Sequence, residues 1–146
     1  MFEDADLISA YTRAQAIEDG TLIDLTDATD RDGRRLSPFK WPVAMTQAAF
    51  AETISAGGKW VTGPPGDDYE NLVLPGCQDF AGRVWDVLWM LVVAIRQSPD
   101  GADCVRFEVS VLVDGERDRR TVQLKSLCGP GDDGEPVLTI MLPEED

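Results

Sequence analysis

The sequence predicts an α+β domain: about three helices packed on one face of a three- to four-stranded antiparallel sheet, with a C-terminal β-meander. Three observations predict it. The chain has 146 residues, 43% of them apolar, which fits one globular domain over residues 1–146. The segment RVWDVLWMLVVAIRQ, residues 83–97, repeats its apolar side chains at helical spacing. The segment CVRFEVSVLV, residues 104–113, alternates apolar and polar side chains as a half-buried strand does.

The elements follow in order. Residues 4–18 read as a first helix, with Ile8, Tyr11, Ala14 (or Gln15) and Ile17 on one stripe. Asp4 or Asp6 would cap it and Gly20 would end it in the left-handed conformation. Thr21–Leu25 is a short strand. TDATDRDGRRLSPFK, residues 26–40, reads as a polar, mobile loop. Trp41–Ala44 is extended because Pro42 disfavours helix at the residue before it. Thr46 then caps a short helix through Ala48, Phe50 and Ile54, which stops at Gly57-Gly58. Residues 56–80 are turn-rich, with an edge strand possible over Tyr69–Leu74.

The helix over 83–97 carries two apolar stripes. Val84, Leu88, Leu91 and Ile95 form one; Trp85, Trp89 and Val92 form the other. A helix apolar on nearly all sides is expected to be buried on both, here between the sheet and the other two helices. The meander then runs through Val105–Val111, a hairpin at Asp114-Gly115, a strand over Arg120–Leu127, the loop GPGDDGEP and a last strand over Val137–Leu142.

Composition excludes several functions. There are 27 acidic residues, 13 basic residues and no histidine, for a formal charge of -14. Histidine triads, histidine general bases and Cys/His zinc sites are ruled out. Phosphates would be repelled, so neither a direct nucleic-acid partner nor a membrane partner is expected. The acidic start MFEDADLISA lacks a basic n-region, and the longest apolar run, Val87–Ile95, is too short to span a bilayer, so a cytoplasmic protein is expected. Cys77, Cys104 and Cys128 are odd in number and lack CxxC spacing. They read as small buried hydrophobes.

Candidate site residues come from charge and aromatics. Asp132, Asp133 and Glu135 share one loop; Asp67, Asp68 and Glu70 share another. Grouped carboxylates can hold a hard cation, but Asp and Gly also favour turns, and the EF-hand spacing is missing. No metal and no cofactor is therefore expected. Asp100, Glu108 and Gln123-Leu124-Lys125 loosely echo the acid, acid and lysine pattern of metal-dependent nucleases, with Gln123 in the place of an acid. Gly129-Pro130-Gly131 lacks the lysine of a phosphate loop. The serines lack a base. The reading is not an enzyme. Trp85 and Trp89 are expected in the core, while Trp41 and Trp60, in loop-like segments, are the better interface residues.

Four segments carry a resemblance: Tyr11–Gly20 with Leu22–Asp24, Trp41–Thr46, Gly82–Met90, and Cys128–Pro143. Together they resemble a family of small bacterial proteins of uncharacterised function carried on plasmids and conjugative elements. The similarity covers most of the chain outside residues 27–40 and 56–78. It implies mobile-element business and supplies no catalytic residue. The expected function is a non-enzymatic acidic protein-binding inhibitor of a host defence nucleoprotein, of anti-CRISPR or anti-restriction type. DNA carries one charge per about 1.7 Å of axis, so fourteen charges in a row would imitate about 7 base pairs. Asp132, Asp133, Glu135, Asp67, Asp68, Glu70, Trp41 and Trp60 are the expected partner-binding residues. The partner would be a protein with a basic nucleic-acid-binding surface. Nine acids lie in residues 1–35 and ten in residues 104–146, so the geometric question is whether these meet on one face. The competing readings are a structural or accessory protein, with a homodimer that buries Trp41 or Trp60 as one form of it, and a metal-dependent enzyme.

Overall fold

The structure is a computed structural model, described here over residues 12–60, 72–75, 78–114 and 118–145. Three helices are α1 (Arg13–Glu18), α2 (Gln47–Glu52) and α3 (Phe80–Gln97). Seven strands are β1 (Leu22–Asp24), β2 (Val43–Thr46), β3 (Lys59–Trp60), β4 (Leu72–Val73), β5 (Cys104–Asp114), β6 (Asp118–Pro130) and β7 (Pro136–Met141). The class is α+β, as the sequence predicts. Among the described residues, no helix is long and apolar enough to cross a membrane.

The main sheet has five strands in the order β1-β2-β7-β6-β5, and β3 pairs with β4 in a separate two-stranded ladder. β5, β6 and β7 form the expected meander, with Phe107 opposite Leu124 and Ser126 opposite Ile140. Two features differ from the sequence expectation. The sheet gains β1 and β2 at its far side. It is also not purely antiparallel, because β2 runs parallel to β7, with Val43 opposite Leu138 and Met45 opposite Ile140. β7 is therefore an interior strand. Its Val137, Leu138, Ile140 and Met141 are all buried, on alternate faces, which explains why PVLTIM is nearly continuously apolar.

Helix ends follow local chemistry. Thr46 caps α2 by accepting from the Ala49 amide. Asp79 caps α3 by accepting from the Gly82 amide at 2.8 Å. Thr12 and Gln15 form a capping box that starts α1. The single helix expected over residues 4–18 therefore does not run through Thr12, whose backbone is extended. The Thr-x-x-Gln signature was present in the sequence. Residues 4–11, with the expected caps Asp4 and Asp6, lie outside the described residues. Gly20 follows the α1 C-cap with φ +85°, as a helix-ending glycine does.

The helices do not all share one face. α2, the turn after it and α3 bury Phe50, Ile54, Val84, Leu88 and Leu91 against Met45, Ile140, Leu124, Val122, Val109 and Phe107. α1 lies across the other face. Arg13 donates to Thr139 Oγ1 at 2.7 Å, and Thr139 points away from its neighbours Leu138 and Ile140 by strand alternation. The 26–40 segment is also more structured than its polarity suggests. Thr29 bridges Arg35, the Asp30 carboxylate accepts from the Asp32 and Arg34 amides, and Leu36 and Ser37 are buried.

α2, α3 and the sheet meet at Arg83. Only 4% of its surface is exposed. Nη1 donates to the carbonyls of Thr53 and Ile54, each at 3.1 Å, and of Ala56. Nη2 donates to the Leu112 carbonyl of β5 at 2.6 Å, and Nε donates to Gln78 Oε1 at 3.1 Å. The first three carbonyls follow the C-terminus of α2, where a helix leaves acceptors unpaired and a cation is favoured. Burial pulls Arg83 below its ordinary pKa, opposed by the nearby carboxylate of Asp86. The guanidinium stays charged, because its ordinary value is so high. Arg83→Met should lower unfolding free energy by about 3 kcal/mol, since the buried Ile54 and Ala56 carbonyls lose their donor. Arg83→Lys should recover only part, because one ammonium cannot fork between α2 and β5. Urea denaturation of the three proteins measures both effects.

Candidate functional site

The loop between β6 and β7 holds the expected residues Asp132, Asp133 and Glu135. Its carboxylates are not merely solvated. Asp132 Oδ1 accepts from the Arg13 amide at 2.8 Å, and Oδ2 accepts from the Ala14 amide at 3.0 Å. These are the first two amides of α1, a helix with no acid in its own first turn. Asp132 thus supplies, across 119 positions of sequence, the negative charge that the helix N-terminus favours. Glu135 folds back so that its Oε2 accepts from the Asp133 amide at 3.0 Å. Asp133 itself is exposed.

Arg13 completes this cluster. Nη2 donates to the Leu138 carbonyl at 2.8 Å, beside the bond to Thr139. Burial pulls Arg13 below its ordinary pKa, and Asp24, Asp132 and Glu135 oppose that shift. Acids from the first strand and from the last hairpin therefore act on one guanidinium. No local pattern in the sequence links Arg13 to Asp132. The pairing exists because β7 enters the sheet beside β2.

The other expected residues distribute as follows. Asp67, Asp68 and Glu70 lie outside the described residues. Trp60 pairs with Leu72 across the β3–β4 ladder. Trp41 is 46% exposed. The nuclease-like trio does not converge. Glu108 accepts from Gln123 Nε2 at 2.7 Å on the outer face of the sheet, whereas Lys125 donates to the Glu145 backbone carbonyl. Among the described residues, no three acidic or thiol groups come together as a metal-ligand set. Cys104 is exposed and Cys128 half-buried, both as free thiols, so neither is the fully buried hydrophobe expected; Cys77 lies outside the described residues.

Two surfaces were missed by sequence. The first is the outer face of α3. It is open rather than covered by the other helices, because α1 lies across the sheet. Trp85 is 44% exposed, and Met90 and Val93 are each 40% exposed. Trp85 and Trp89, expected in the core, stack edge to face with ring centres 5.1 Å apart. The second is a groove of about 350 Å³ beneath Trp41, where α3 ends and the turn 98–103 leads into β5.

A family model matches residues 1–146, the whole chain. The chain belongs to DUF6573, a family of unknown function. No curated protein and no solved structure matches it. Membership brings no residue roles, so roles in this DUF6573 protein rest on the geometry above.

Asp132→Ala should cost about 1 kcal/mol, as loss of a helix cap does. Hydrogen exchange should locate the loss, with faster exchange at the Arg13 and Ala14 amides and little change in α3.

Proposed function

We propose that this protein is a non-enzymatic acidic inhibitor, carried on plasmids and conjugative elements and acting in the cytoplasm. It binds a host defence nucleoprotein of CRISPR-effector or restriction type on the basic surface that otherwise holds nucleic acid. The observation that carries the reading is the convergence of Asp24, Asp132 and Glu135 around Arg13. Acids distant in sequence share one region of surface, as an electrostatic docking face requires.

The way the acids are held adds support. Asp24 accepts from the Thr26 amide, Asp30 from two amides, and Asp132 from two more. A carboxylate bonded to backbone amides is fixed in place. Among the described residues a single ion pair is found, Arg120 with Glu52 at 3.4 Å. Asp24, Asp27, Asp32, Asp132 and Asp133 are exposed. Such a field speeds encounter with a basic partner and is screened by salt.

The open face of α3 favours a second reading, a structural or accessory protein that pairs as a homodimer. Large exposed apolar side chains on one helix mark contact surfaces. In that case Trp85, Met90 and Val93 would be the buried anchors, rather than Trp41 or Trp60.

Salt separates the two. Pull-down with purified CRISPR effectors and restriction enzymes should recover a complex at low salt that weakens steeply as salt rises. Asp24→Lys with Asp133→Lys should slow association by about tenfold or more. Failure to capture any of these partners at low salt overturns the inhibitor reading. For the alternative, sedimentation should show a dimer that survives high salt and dissociates in Trp85→Asp.

A further inference from the structure

We infer that β5 is the docking edge for a second copy of this chain, which pairs with it antiparallel about a two-fold axis at Phe107. β5 is the last strand of the main sheet. The Cys128 amide donates to the Asp103 carbonyl at 2.8 Å, so the odd-numbered residues of β5 turn their backbone groups toward β6. The even-numbered residues turn theirs the other way. Leu112 fits this alternation, because its carbonyl accepts from Arg83 and Gln78 instead. Among the described residues no strand pairs with this edge, and the amides and carbonyls of Arg106, Glu108 and Ser110 line it. The side chains of Cys104, Arg106, Glu108 and Ser110 are exposed. A long free edge is a template for another strand.

The order of charges along the edge selects a second copy as the occupant. A two-fold axis at Phe107 puts Arg106 directly opposite Glu108 of the second copy, and Glu108 opposite its Arg106. Cys104 faces Ser110 at each end. All of these residues are even-numbered, so each opposed couple exchanges both of its backbone hydrogen bonds. An axis at Glu108 would oppose two carboxylates, and an axis at Arg106 would oppose two guanidiniums; like charges directly opposite are destabilising. Within its own sheet Arg106 stands opposite Lys125, a like charge. Among the described residues Arg106 has no ion pair. The second copy supplies the carboxylate it lacks. The surrounding face also suits the approach of two chains that each carry a charge of -14. The register puts Arg119 and Lys125 on the same face as Arg106 and Glu108, so cations outnumber carboxylates here and offset the repulsion between the chains. The pairing joins two five-stranded sheets into one and sets the two α3 helices antiparallel on a shared face. It depends neither on the inhibitor reading nor on a dimer through Trp85.

The test is sedimentation velocity of the full chain at concentrations up to about 1 mM, the weak end of specific association. The chain should form a dimer. Arg106→Glu alone, or Glu108→Arg alone, should weaken that dimer about tenfold, because each opposes like charges at both couples. Both variants should keep the melting temperature of the parent, since the side chains are exposed. An equimolar mixture of the two variants should dimerise again, since the opposed charges are once more unlike. Trp85→Asp should leave the dimer intact. Ser110→Cys should give a covalent dimer on mild oxidation, because Cys104 of the second copy lies opposite at about 5.5 Å between Cα atoms, within disulfide reach. Adding Cys104→Ser should abolish that cross-link. A monomer at about 1 mM overturns the proposal. So does a dimer that the charge variants leave unchanged, that mixing fails to restore, that Trp85→Asp dissociates, or that Ser110→Cys does not cross-link.

Discussion

The fork of Arg83 ties the turn after α2 and the end of β5 to the start of α3. The turn after α2 presents the carbonyls of Thr53, Ile54 and Ala56 to Arg83, and β5 is an edge strand. One guanidinium satisfies both, while the aliphatic part of its side chain runs at the start of α3. Gln78 assists by donating to the Leu112 carbonyl at 3.1 Å. Once this joint is set, α3 must lie along β5 and α2 must lie beside it. The apolar stripe Val84, Leu88 and Leu91 then meets Phe107, Val109 and Leu124, and the core closes.

A similar economy governs the opposite face. α1 is only six residues long, too short to persist alone in water. It is held by one arginine that reaches the β7 backbone and one aspartate from the adjoining hairpin. The consequence is functional as well as structural. The hairpin acids that look like a free docking patch in the sequence are partly a clamp. Asp132 and Glu135 become fixed by backbone amides, and together with Asp24 they act on Arg13.

The surfaces left after these contacts differ in chemistry. The Arg13 region is acidic and polar, the outer face of α3 is aromatic and apolar, and the Trp41 groove combines an apolar floor with a carboxylate rim. An electrostatic partner suits the first, and a protein contact suits the second. Their separation on the molecule means that the roles need not compete.

Much of the fold was legible in the sequence. Period-2 alternation over 104–113 and the turn signals after it determined the meander. The helical stripes determined α3, and Thr46 determined where α2 starts. The -14 charge and the lack of histidine fixed the kind of chemistry available, since neither depends on conformation. Tertiary structure alone decided the parallel pairing of β2 with β7, the crossing of α1 to the far face, and the exposure of Trp85. It alone joined Arg83 to α2 and Asp132 to α1. Periodicity reports which sides of an element are apolar, because neighbouring side chains share one local geometry. It carries no information about which distant segment will cover each side. That choice is made by long-range hydrogen bonds and burial, which exist only after the chain has closed.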